Sequence, residues 1–292
     1  MSGARAELEP EHADSLSALS SLSYRLTVAY VGTRYGGWQR QPNSPSVQQA
    51  LEEALASLLA EPVRVVGAGR TDAGVHARAQ VASFALDRGF PVQALVRGTN
   101  RFLPADVRVM RAERVPAGFD ARRHAEEKCY LYRLERAPVI DPFTAPYVAP
   151  MPRDASVERL REALGRLPGR RDFSAFAKSG GSHRQPVRTL SRVELREEGS
   201  GLELRFVGDG FLRGMVRALV GTVLEVARGR LTPDRLDALL DGATRAEAGP
   251  NAPARGLCLE AVSYPARWGA SERYPWGAHG QGLGADRAPD PL

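Results

Sequence analysis

Cysteine is scarce in this 292-residue chain, which contains only Cys129 and Cys258. The two lie far apart in the sequence and form no Cys-x-x-Cys pair, so neither a disulfide framework nor a thiolate zinc site is indicated. This usage fits a reducing compartment. No stretch is long and apolar enough to cross a bilayer, and the acidic N-terminus lacks the basic region of a secretion signal. The sequence therefore predicts a cytoplasmic protein with no membrane-inserted segment.

Lysine is also scarce, because Lys128 and Lys178 are the only two lysines among 40 basic residues. Such a dominance of arginine indicates a bias of the whole sequence, so one arginine is weak support for a binding site. The formal net charge of +6 and the isoelectric point near 9.7 favour an anionic partner, most commonly nucleic acid. With 43% hydrophobic residues, the chain can bury a core in one large or two small domains.

The most informative segment is GAGRTDAGVHA, which runs from Gly67 to Ala77. A glycine-rich turn after a strand is typical of a functional loop, and Asp72 within it could act as a nucleophile or base. The alternative is a turn in which Asp72 caps its own backbone. His76 could share a metal with Asp72 in a metal-dependent hydrolase, but Gly74 lies between them and no third ligand is near. The segment also lacks a complete dinucleotide or phosphate-loop motif, so neither a metal nor a cofactor is predicted.

A second segment, GFLRGMVRALVGTVLEVARG, has apolar residues at helical spacing and predicts a helix from Phe211 to Ala227. Arg217 lies on the opposite side of this helix, flanked by Gly214 and Gly221. Two positions without side chains would let another backbone or a ligand approach the arginine closely. The alternative is an arginine that faces solvent.

A third segment, KCYLYRL, places Tyr130 and Tyr132 two residues apart, on one face of a predicted strand. An aromatic pair in this position usually packs in the core. It can also form a surface on which nucleic-acid bases stack.

The order of predicted elements repeats, which indicates an α+β fold of two βαββαβ-like halves, residues 23–118 and 119–265. We expect antiparallel sheets with helices on one face and a cleft between the halves in which a ligand would bind. One of the predicted strands is Val63 to Val66, directly before the glycine-rich loop. The remaining residues, 1–22 and 266–292, lack periodicity and are predicted to be disordered tails.

Taken together, the sequence resembles the tRNA pseudouridine synthases of the TruA family from Tyr24 to about Tyr264. Several motifs in the family's order and at about its spacing are far more specific than any one of them. The segments that carry the resemblance are GTRYGGWQRQP, SVQQALEEAL, GAGRTDAGVHA, KCYLYRL, DFSAF, GFLRGMVRALVGTVLEVARG and GLCLEAV.

The resemblance implies a pseudouridine synthase fold with a central RNA-binding cleft, and a role for five residues. Asp72 would be the nucleophile and Arg217 its ion-pair partner, Tyr130 and Leu257 would pack on the two sides of the uracil, and Arg70 would help to hold the place of the flipped-out nucleotide. It also implies a homodimer that needs no cofactor and acts on uridines 38, 39 and 40 of the tRNA anticodon stem-loop. The alternative function is a non-catalytic RNA-binding protein or chaperone, against which the joint presence of Asp72, Tyr130 and Arg217 argues.

Overall fold

The structure is a computed structural model. It describes residues 21–178, 185–242 and 244–269. The two predicted tails lie outside the described residues, apart from a few positions at their inner ends. Within the described part of the chain, no helix has both the length and the apolar character needed to cross a membrane.

The described residues form ten strands and five α-helices. The strands are β1 (Leu22–Tyr30), β2 (Val66–Gly67), β3 (His76–Leu86), β4 (Val107–Val115), β5 (Glu127–Glu135), β6 (Ala149–Pro150), β7 (Gly169–Asp172), β8 (Val187–Glu198), β9 (Gly201–Gly208) and β10 (Leu257–Ser263). The helices are α1 (Val47–Leu59), α2 (Val92–Phe102), α3 (Val157–Gly165), α4 (Met215–Ala227) and α5 (Pro233–Leu240).

All ten strands belong to one sheet, whose main path runs β4-β1-β3-β10-β5-β9-β8-β7. Neighbours along this path are antiparallel except β3 and β10, which run parallel through the pairs His76–Cys258 and Ala77–Leu259. The last strand of the chain therefore lies between the early strand β3 and β5. This mixed architecture confirms the α+β prediction.

Helix α1 shows how local sequence fixes an element. The Ser46 hydroxyl accepts a hydrogen bond from the backbone N–H of Gln49, which is the N-cap that the SVQQ segment predicts. Leu51 and Leu55, one turn apart, are fully buried against the core. The helix stops at Leu59, one residue before Ala60 adopts a left-handed conformation with φ of 59°.

Two predicted elements differ from the structure. The strand predicted from Val63 to Val66 is reduced to β2, because side chains of α1 satisfy the backbone of Val65: its N–H donates to Glu52 and its carbonyl accepts from Gln48. The helix predicted from Phe211 begins only at Met215, after a left-handed Gly214. Apolar periodicity cannot distinguish a helical turn from the irregular turn that precedes it.

Candidate active site

The loop between β2 and β3 carries the GAGRTDAGVHA segment and is anchored to β3 at its base. The N–H of Ala68 donates to the carbonyl of Val81 at 2.7 Å, and the side chain of Gln80 donates to the carbonyl of Gly69 at 2.9 Å. The carboxylate of Asp72 accepts no hydrogen bond from the described residues, so it does not cap its own turn. It is free to take part in chemistry.

The segment GTRYGGW, which follows β1, holds the tip of this loop. The N–H of Trp38 donates to the Thr71 carbonyl at 3.2 Å, and the N–H of Gly74 donates to the Tyr35 carbonyl at 3.3 Å. Gly37 has a φ of +109°, and a Cβ added there would lie 2.4 Å from the Thr71 carbonyl oxygen. Only glycine permits so close an approach of the two backbones. These contacts fix the backbone on both sides of Asp72.

Asp72 forms an ion pair with Arg217, which comes from the first turns of α4. The distance from Asp72 Oδ2 to Arg217 Nη1 is 3.6 Å, and both side chains are largely buried, with exposed fractions of 15% and 16%. At this distance the contact is a charge interaction and is too long for a hydrogen bond. Water is partly excluded, so the attraction between the two charges is stronger than it would be at the surface.

The other contacts of Arg217 explain why its helix has a glycine at position 221. Arg217 Nε donates to the Ala252 carbonyl at 2.8 Å, and the Ala252 N–H donates back to the Arg217 carbonyl at 2.9 Å. The Ala252 segment lies so close to α4 that a Cβ on Gly221 would be 1.6 Å from the Pro250 carbonyl oxygen. Gly221 therefore admits a backbone of the same chain, which orients the guanidinium towards Asp72. Gly214 precedes the helix and has a left-handed conformation, with no contact to that backbone among its nearest neighbours. Arg217 is largely buried, so the solvated-arginine alternative is wrong.

Tyr130 and Tyr132 have different surroundings although they share one face of β5. Tyr132 is fully buried, and its hydroxyl donates to the Pro253 carbonyl at 2.9 Å. Tyr130 lines a cavity beside Asp72, and Phe211 meets its ring edge-on with centroids 5.0 Å apart. Burial raises the pKa of the Tyr130 hydroxyl, which keeps it neutral. Leu257, at the start of β10, lines the same cavity.

This cavity, which we call the Asp72 cavity, has a volume of about 340 Å³. Arg70 lies exposed at its rim, with Nε donating to Gln39 Oε1 at 3.1 Å. Asp72 is the one carboxylate among the described residues that line it. The cationic side chains that line it are Arg70, Arg122, Lys128, Arg188 and Arg213. The structure thus brings all five predicted site residues together. Four of them line the cavity, and Arg217 is the ion-pair partner of Asp72.

Sequence reasoning missed the other cations of this cavity. Burial, followed by the charges of Arg122 and Arg188, lowers the pKa of Lys128 to about 8, while Asp209 acts in the opposite direction. Lys128 lies two residues before Tyr130 and therefore on the same strand face, a signal that was present in KCYLYRL. For Arg122 and Arg188 no local signal existed, because arginine is abundant throughout the chain.

His76 lies in a second cavity of about 440 Å³, which we call the His76 cavity and whose lining does not include Asp72. Its Nδ1 accepts from the Gly32 N–H at 3.1 Å, so the ring proton is on Nε2, which is 3.1 Å from the Pro146 carbonyl oxygen. Burial lowers the pKa of His76 and favours this neutral form. Both ring nitrogens are thus engaged with backbone groups. The position of His76 argues against a metal site shared with Asp72.

A largely buried carboxylate paired with arginine, on the wall of a cavity rich in cations, is the arrangement expected of an enzyme site for an anionic substrate such as a nucleic acid. A family model described as tRNA pseudouridine synthase matches residues 26–122 and 163–265, and the chain belongs to that family.

Curated relatives agree with this assignment. The chain is 44% identical over 240 residues to a tRNA pseudouridine synthase A of Pelobacter propionicus, with 82% of this chain and 98% of the relative covered. It is also 44% identical over 248 residues to a tRNA pseudouridine synthase A of Methylacidiphilum infernorum, with 85% and 97% covered. These matches confirm the family resemblance of the sequence motifs.

Proposed function

We propose that this protein converts specific uridines of tRNA to pseudouridine, with Asp72 as the nucleophile. In this isomerisation the bond from uracil N1 to ribose C1′ breaks, the base turns, and a bond from C5 to C1′ forms. The proton leaves C5 and N1 gains one, so atoms and electrons balance without a cofactor. The observation that supports this proposal most strongly is the Asp72 carboxylate, which faces a cationic cavity and has Arg217 as its charge partner.

Tyr130 and Leu257 are proposed to hold the uracil between them. They come from the neighbouring strands β5 and β10, and both line the cavity beside Asp72. An aromatic ring and an aliphatic side chain offer flat apolar contacts to a base while leaving its polar edge free. Such walls would keep the detached base in place while it turns.

Arg70 is proposed to occupy the space that the target nucleotide leaves in the RNA. A uridine within a tRNA stem-loop must be extruded before Asp72 can reach it, at an estimated cost of a few kcal/mol. Arg70 extends from the same loop as Asp72 and is exposed at the cavity rim. A long cationic side chain in that position can stack with neighbouring bases and contact the phosphates.

The proposed substrates are uridines 38, 39 and 40 of the anticodon stem-loop, modified in the cytoplasm. The names of the relatives support tRNA as the substrate class. The cations of the cavity support recognition of a folded RNA through its backbone and shape.

Replacement of Asp72 by alanine or asparagine tests the function. We expect pseudouridine formation in tRNA transcripts to fall to the no-enzyme background, while tRNA binding persists because the phosphate contacts remain. Asp154→Asn is a matched control, since Asp154 is an exposed carboxylate that also pairs with arginine. Pseudouridine formation by Asp72→Ala would exclude Asp72 as the nucleophile. Binding of tRNA by a wild-type protein that makes no pseudouridine would support the non-catalytic alternative.

A homodimer is also proposed, with an interface at the rim of the His76 cavity. Met110 and Tyr147 line this cavity and are 61% and 41% exposed, and Phe143, close to Tyr147 in the chain, is 87% exposed. Exposed apolar side chains in such a group are typical of an interaction surface. We expect the wild-type protein to sediment as a dimer and Met110→Glu as a monomer. Phe102→Glu, at an exposed site outside this cavity, should leave the dimer intact, and a monomeric wild-type protein would contradict the proposal.

A further inference from the structure

Three cations of the Asp72 cavity form a group with no role so far. Lys128, Arg122 and Arg188, which we call the basic triad, line the cavity. None of them forms an ion pair with a carboxylate of the described residues. Arg188 is held by its own backbone surroundings, because its Nη1 donates to the carbonyls of Gln185 and Val187. Three cations gathered with no carboxylate at ion-pair distance repel one another, so the arrangement favours an anionic ligand.

The position of the triad relates it to the proposed uracil site. Lys128 precedes Tyr130 by two residues on the same face of β5, so the two side chains are spaced by roughly 7 Å along the strand. The Lys128 stem also lies beside the loop that carries Asp72, with Cε 3.6 Å from where a Cβ on Gly69 would be. An anion on the triad would therefore be a near neighbour of a base on Tyr130.

We infer that the basic triad binds the phosphate that adjoins the flipped-out uridine. This inference rests on the proposed function, since it takes tRNA as the ligand. Binding an extruded nucleotide by its own phosphate would fix the ribose relative to Asp72, which base contacts alone do not do.

The charge state of Lys128 gives this site a measurable pH dependence. In the protein without RNA, burial and the charges of Arg122 and Arg188 lower the pKa of Lys128 to about 8, and Asp209 has a smaller opposing effect. The other charged residues of the loop in this cavity are Arg70 and Asp72, and Asp72 is paired with Arg217. A bound phosphate favours the protonated amine, so binding takes up a proton. Affinity should therefore fall as pH rises above about 8, where free Lys128 loses its charge.

The test measures tRNA binding without turnover, in the Asp72→Asn protein. When Lys128→Met is added to this protein, we expect tRNA binding at pH 7 to weaken roughly ten-fold. The slope of log affinity against log salt should fall in magnitude by close to one. The decline of affinity between about pH 7 and 9 should disappear. Lys128→Arg should keep most of the affinity and also lose the pH dependence, because arginine stays charged. Arg101→Gln, an exposed cation on α2 outside the cavity, is the control and should retain the pH dependence.

Chemically modified RNA locates the phosphate. We compare the affinity of the parent and Lys128→Met proteins for stem-loop RNAs that carry one neutral methylphosphonate linkage. With the neutral linkage next to the target uridine, the two proteins should bind equally well. With the same linkage elsewhere, Lys128→Met should still bind roughly ten-fold more weakly. Binding by Lys128→Met equal to the parent in affinity, salt slope and pH dependence would overturn the inference. Failure of the proposed function is a separate result, in which the wild-type protein forms no pseudouridine at all.

Discussion

The two cavities beside the start of β3 differ in how their charges are matched. In the His76 cavity, two of the three arginines meet carboxylates: Arg133 lies 3.0 Å from Glu203 and 3.4 Å from Glu260, and Arg78 lies 3.7 Å from Glu260. The third, Arg108, donates to the backbone carbonyls of Leu103, Pro104 and Val107. In the Asp72 cavity one carboxylate has a partner while the basic triad has none. Ion pairs completed within the chain need no ligand, whereas unmatched cations favour an external anion. This difference points to the Asp72 cavity as the site of chemistry.

Among variants that separate the two cavities, replacement of Arg217 by alanine should have the largest effect on turnover. We expect turnover to fall on the order of 10²-fold, because the proposed nucleophile Asp72 loses its orienting charge in a partly dry site. Arg217→Lys should rescue turnover only in part, since the planar fork is lost. Steady-state kinetics of both variants on tRNA transcripts provide the measurement.

Arg133→Ala is the matched control, because it breaks an arginine-carboxylate pair in the other cavity. It should lower the melting temperature, since a nearly buried Glu260 loses one of its cations. Turnover per folded molecule should match the wild type. A comparable loss of turnover in Arg133→Ala, or wild-type turnover in Arg217→Ala, would remove the distinction between the two pairs.

The two tyrosines of β5 give a second, smaller contrast. Tyr130→Ala should lower turnover by about one to two orders of magnitude, because stacking on a base contributes roughly 1–3 kcal/mol. Tyr130→Phe keeps the ring and should stay within a few-fold of the wild type. Tyr132→Phe should instead cost about 1 kcal/mol of folding free energy, through loss of the bond to Pro253, and leave turnover unchanged. A large loss of turnover in Tyr130→Phe would indicate a chemical role for its hydroxyl.

The smallest effect concerns His76 and appears in stability. Burial lowers the pKa of His76 in the folded protein below the value of 6.5 that the unfolded chain has. Just below pH 6.5 the unfolded chain therefore takes up a proton on this ring, whereas the folded protein keeps it neutral. The unfolded state then binds more protons, and stability falls as pH drops below about 6.5. His76→Gln should reduce the fall in melting temperature between about pH 7 and 5.5 by roughly 2–4 °C. An identical fall in both proteins would show that another group titrates.

The sequence by itself predicted those features that depend on neighbouring residues. The Ser46 cap and the apolar face of α1, the two tyrosines on one strand face and the turn around Asp72 all follow from short-range spacing and local hydrogen bonding. The spacing of Gly214, Arg217 and Gly221 likewise indicated a close approach along α4. The motifs also indicated the family, because their order along the chain is itself a long-range pattern.

Only the tertiary structure decided which distant residues meet. The insertion of β10 between β3 and β5 brings Leu257 into the cavity that Tyr130 lines, and the docking of α4 places Arg217 next to Asp72. Periodicity records whether a residue is buried and does not record its partner. For the same reason the sequence could not select Arg122 and Arg188 from so many arginines, because an unmatched charge is a property of its surroundings.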